Sequence, residues 1–139
     1  MRSIIHLILA LAPFSLVMAE VTPVVDITRI AGRSQPNLIA YLGEPVSCKE
    51  IKYGSKCQYV KGKTTVVFIN GKADWLTVEE LQSVPFSPVA LEAIGLTKTE
   101  PTFSNVHVLR WEPLNSLRSI AIFPNGPNTD YAYIKVSTD

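Results

Sequence analysis

The sequence predicts an α+β fold: two tandem units of a short helix packed on a three- to four-stranded antiparallel meander, sharing one curved sheet. Three observations predict it. A helix signature (a starting Ser, a first-turn Pro, a closing Gly) occurs twice. Runs of alternating apolar residues follow each signature. Asn-Gly turns break those runs at corresponding places in the two halves, which is the sign of an internal repeat.

The first element, residues 1–19, reads as a signal peptide. Arg2 supplies the positive end, and an apolar run from Ile4 to Met18 follows. Val17-Met18-Ala19 predicts cleavage between Ala19 and Glu20. The run is shorter than the ~20 residues a spanning helix needs, and Pro13 interrupts it. No Cys follows it, so no lipoprotein signal is present and no membrane anchor is expected. Export to the periplasm or the medium is the expectation.

Residues 20–33 form an N-terminal segment. The first helix-sheet repeat spans 34–80. Its helix is Ser34 to Gly43, and its strands are predicted at 46–51, 56–61, 64–69 and 72–78. The second repeat spans 81–139. Ser87 to Gly95 repeats the helix signature, with strands predicted at 105–111, 117–123 and 129–137. Val66-Val67-Phe68-Ile69-Asn70-Gly71 is answered by Ala121-Ile122-Phe123-Pro124-Asn125-Gly126. Asp74-Trp75-Leu76 is answered by Asp130-Tyr131-Ala132. The offset is 52 or 53 at the helices and 55 or 56 at the hairpins, which implies small insertions.

Beyond residue 19 the chain carries twelve Lys/Arg against twelve Asp/Glu. That balance excludes nucleic acid as the main partner, since phosphate binding needs surplus positive charge. Lys49, Lys52, Lys56, Lys61, Lys63 and Lys72 nevertheless crowd one stretch. They read either as a solvated edge hairpin whose lysines discourage edge pairing, or as a basic patch for an acidic partner. Cys48 and Cys57 flank a predicted turn at 52–55 and can form a disulfide in an oxidising compartment. Two thiols with one His beyond the leader do not make a metal site, and no cofactor motif occurs.

Alternation sorts the side chains of the sheet. Ala132, Ile134 and Val136 suit a covered core. Tyr131, Tyr133 and Lys135 suit an open face, and the repeat adds Trp75. The same alignment puts Phe68 and Phe123 on the open side. Tyr59 and Trp111 correspond to each other, with their side unassigned. Trp75, Tyr131, Tyr133, Lys135, Tyr59 and Trp111 are therefore the candidate partner-binding residues. His107 lies in an apolar alternating stretch with no Ser, Asp or Glu placed to serve it, and reads as structural. Asp74 and Asp130 follow hairpin turns and are explained by turn chemistry rather than by a catalytic pair. No catalytic set is expected.

The run Gly32-Arg33-Ser34, Leu38, Leu42-Gly43-Glu44-Pro45, followed by antiparallel strands, resembles small bacterial envelope proteins of the SmpA/BamE type. Two such units in one exported chain, with a hairpin disulfide, resemble the beta-lactamase inhibitory protein fold. The duplicated unit with matched aromatics and no catalytic set predicts a non-enzymatic module that binds another protein through the aromatic face of its sheet, as an inhibitor or immunity-like protein. The alternatives are a periplasmic accessory of cell-envelope assembly and a small hydrolase with an unrecognised site. Partner identity and oligomeric state are not indicated.

Overall fold

The structure is a computed structural model that describes residues 21–136, together with Ala10. The cleavage point between Ala19 and Glu20 lies outside the described residues.

The strands form where β-branched and aromatic residues alternate with polar ones, and turn residues delimit them. They are β1 (Ser47–Ile51), β2 (Gly54–Tyr59), β3 (Thr64–Ile69), β4 (Lys72–Val78), β5 (Phe103–Ser104), β6 (Leu109–Trp111), β7 (Leu117–Asn125) and β8 (Asn128–Val136). All are hydrogen-bonded into one antiparallel sheet of order β1-β2-β3-β4-β8-β7-β6-β5. Two α-helices accompany it: α1 (Gln35–Leu42), with Pro36 in its first turn and Gly43 closing it, and α2 (Ala90–Ala93).

This architecture corrects the expected one. The fold is a single eight-stranded sheet with two small helices, not two helix-on-meander units. The sheet is continuous because β4 and β8 pair along Trp75–Val78 and Ala132–Lys135, and the departure lies in the helices. Around Pro88 the chain winds in tight turns, with Ala90 N–H donating to the Ser87 carbonyl and Leu91 N–H to the Pro88 carbonyl, and α2 is only four residues long. The N-terminal segment and the stretch around α2 contribute to the cover of the core face. The N-terminal segment is tied to the far half by Val24 N–H donating to the Ala93 carbonyl at 2.8 Å and Ile27 N–H to the Ile94 carbonyl at 3.0 Å.

One face of the sheet is buried. Val66, Phe68, Leu76 and Val78 join Ile120, Ile122, Ala132 and Ile134 beneath Ile27, Ile30, Leu38, Leu81, Leu91 and Ile94. Each such side chain stabilises the fold by about 1.5–3 kcal/mol relative to exposure.

What recurs is the long hairpin. In β3–β4, Val67 pairs with Trp75 and Phe68 with Ala73, leaving Asp74 as the extra residue of a β-bulge. In β7–β8, Phe123 pairs with Tyr131 and Pro124 with Thr129, leaving Asp130 extra. The bulges match at a constant offset of 56, so Phe123 answers Val67 and not Phe68. The turns explain the slip. Asn70 and Gly71 both take positive φ, at 53° and 75°. In the second hairpin Pro127 forbids positive φ, so the loop is Gly126-Pro127, with Gly126 at 61° and Asn125 in the strand. Phe68 is accordingly a core residue, 2% exposed, and its placement on the open side is corrected. Phe123 is half-buried on the uncovered face.

Candidate functional site

The uncovered face of the sheet is built by residues that alternate with the core. Trp75 and Thr77 on β4 stand opposite Lys135 and Tyr133 on β8. Tyr133 in turn faces Ala121, and Tyr131 faces Phe123, on β7. The register thus brings Trp75, Tyr131, Tyr133 and Lys135 to one surface.

Their rings are ordered by one another. Trp75 and Tyr133 stack with centroids 4.9 Å apart and planes 24° off parallel. Phe123 and Tyr131 stack at 4.7 Å and 23°. Such pairs contribute about 0.5–1.5 kcal/mol beyond the area they bury. The Lys135 ammonium lies 4.6 Å from the Trp75 ring centre. The same ammonium is paired with the Asp74 carboxylate, which the bulge directs toward it. Asp74 is 1% exposed, whereas the Lys135 side chain is 17% exposed. A buried carboxylate therefore fixes a cation, and the cation fixes the indole. Tyr133 is 40% exposed. Partial burial, with Tyr131 beside it, raises its hydroxyl above the ordinary tyrosine range.

A shallow groove of about 380 Å³ runs past this cluster, lined by Lys56, Gln58, Thr65, Trp75, Glu79 and Tyr133 among others. It joins aromatic surface to amide, hydroxyl and charged groups. That composition can bind by burying apolar area and placing a few polar contacts.

The other two candidates lie elsewhere. Tyr59 and Trp111 are buried on the core side. The indole N–H of Trp111 donates to the Thr99 carbonyl at 3.0 Å. The Tyr59 hydroxyl is buried without a hydrogen-bond partner among the described residues, and desolvation first, then the Glu44 charge, raises its pKa. Both rings are part of the packing and do not reach the aromatic face.

Cys48 and Cys57 form the disulfide, directly opposite each other on β1 and β2 with Cα atoms 4.1 Å apart. His107 is exposed in the turn between β5 and β6 rather than in a strand, and its backbone N–H donates to the Asn105 side chain at 2.8 Å. Among the described residues no group of three His, Cys, Asp or Glu is placed to hold a metal ion. None of their helices is long and apolar enough to cross a membrane.

Sequence reasoning missed Asp74 as the anchor of the site and Gln58, Thr65 and Thr77 as groove residues. Period-2 alternation from Trp75 places Thr77 on the open face, so that signal was available. The role of Asp74 depends on a bulge that no sequence periodicity marks.

Comparison of the chain with family models, curated proteins and solved structures finds no match.

Proposed function

We propose that this is an exported, non-enzymatic protein-binding module that acts through the aromatic face of its sheet. The observation that carries the reading is the ordered cluster of Trp75, Tyr133, Lys135 and Tyr131 on the one sheet face that no other part of the described chain covers. Aromatic residues dominate binding hot spots because they bury large area with few rotatable bonds. Here the stacks and the cation already restrict those bonds, so little ordering entropy is left to lose on association. The Cys48–Cys57 disulfide supports an oxidising compartment, in line with the leader at 1–19.

The test is affinity capture with the chain beginning at Glu20 as bait. Wild-type bait is expected to retain a specific partner. The double variant Trp75→Ala/Tyr131→Ala is expected to lose it while keeping the wild-type circular dichroism spectrum. Undiminished capture by the folded double variant would refute the reading.

A further inference from the structure

The aromatic face carries charge laid out in register, and that charge specifies the chemistry of an occupant; the step rests on the protein-binding reading above. One row crosses the sheet as Lys49, Lys56, Val67, Trp75 and Lys135, each directly opposite the next. Lys135 is matched by Asp74. Lys49 and Lys56 are in neither of the ion pairs formed among the described residues, and they face each other across β1 and β2.

Like charges directly opposite destabilise a strand pair. Protection of an exposed edge accounts for Lys49, because β1 is the edge strand. It does not account for Lys56, because β2 lies inside the sheet between β1 and β3. Lys56 is instead half-buried where two hollows meet. One is the groove beside Trp75 and Tyr133, and the other is a hollow of about 230 Å³ shared with Ser47, Lys49 and Gln58. Glu79, two residues past Thr77, also lines the groove, and it shares a neighbouring hollow with Lys63.

We infer that this face takes a protein segment bearing a carboxylate side chain and an apolar or aromatic side chain two to three strand spacings apart, roughly 10–14 Å. The apolar group seats against Trp75 and Tyr133. The carboxylate lies between Lys49 and Lys56 and relieves their repulsion. A second copy of this chain presents the same paired lysines and is the poorer fit.

The experiment selects phage-displayed random twelve-residue peptides against the purified, disulfide-bonded chain. Trp75→Ala, Tyr133→Ala and the double variant Lys49→Glu/Lys56→Glu serve as parallel baits, each checked for folding by circular dichroism. Selected peptides are expected to be rich in Asp or Glu next to an apolar residue. Their affinity is expected to fall about tenfold or more on the charge-reversed variant and to weaken with added salt. The charge-reversed bait is expected to select Lys and Arg instead. Peptides that need Trp75 and Tyr133 but bind the charge-reversed variant equally well overturn this inference and leave the protein-binding reading standing. Peptides indifferent to all the variants overturn both. Inorganic polyphosphate competing as strongly as the peptides, or sedimentation showing a dimer that Trp75→Ala abolishes, also overturns the inference.

Discussion

Replacing Lys135 with Met keeps the aliphatic stem over Trp75 and removes only the ammonium. The carboxylate it leaves is 1% exposed. Removing one partner of a fully buried pair costs up to about 3–5 kcal/mol, and a further interaction of Asp74 lowers this. Lys135 is 17% exposed, so solvent screens part of the interaction, and about 2–3 kcal/mol is the expected cost. The reverse change, Asp74→Asn, keeps a polar group in the bulge and leaves a lysine whose head can turn toward water. About 1 kcal/mol is expected there. Urea denaturation followed by circular dichroism measures both, together with the double variant. Lys135→Met is expected to cost clearly more than Asp74→Asn, and to lower Tm by roughly 8–12 °C. The double variant is expected to be more stable than the sum of the singles by about 1–2 kcal/mol. Equal costs for the two singles, or strict additivity, would refute the argument that a buried carboxylate holds Lys135 over the indole.

Three further outcomes follow from the packing. Reducing Cys48–Cys57 frees a loop with a sequence separation of 9 residues, which is expected to destabilise the chain by about 2–3 kcal/mol; unchanged thermal melting with and without reductant contradicts this. Tyr59→Phe removes a buried hydroxyl that has no partner among the described residues, so it is expected to be neutral or stabilising by up to ~1 kcal/mol. The same hydroxyl titrates above the ordinary tyrosine range. The folded state thus holds the proton more tightly, and stability is complete below about pH 10 and declines as pH rises through the folded value. Tyr59→Phe is expected to flatten part of that alkaline decline, and an unaltered alkaline limb in pH-dependent melts contradicts it. Gly54→Ala puts a Cβ 1.8 Å from the Phe68 carbonyl oxygen across β2 and β3, and is expected to cost about 2 kcal/mol or more; a wild-type denaturation midpoint contradicts it.

Much of the sheet was legible because its strands are short, alternating and punctuated by turn residues. Strands β3 and β4 occupy residues 64–69 and 72–78, as the Asn-Gly signal and the alternation required. Leu76 and Ala132 fall on the core side for the same reason. The failures are equally physical. A proline after Gly126 moved the second loop by one residue, which reversed the side assigned to Phe68. The division into two helix-covered units failed because the second helix signature yields only the four-residue α2 and the strands form one eight-stranded sheet. Residues of the N-terminal segment and of the stretch around α2 supply much of the covering core. At the site, period-2 alternation sufficed for Tyr131, Tyr133 and Lys135, and the repeat added Trp75. Tyr59 and Trp111 could not be placed, because an aromatic residue suits a core and an interface equally well. The part of Asp74 was hidden by its bulge.

The central claim is that the uncovered aromatic face contacts a protein partner. Site-specific photocrosslinking tests it most directly, with p-benzoylphenylalanine placed at Tyr133 or at Ile39, an exposed residue of α1. The account predicts a discrete protein adduct from position 133 in the cells that make the chain, and none from position 39. Adducts of equal yield from both positions, or from position 39 alone, would contradict it.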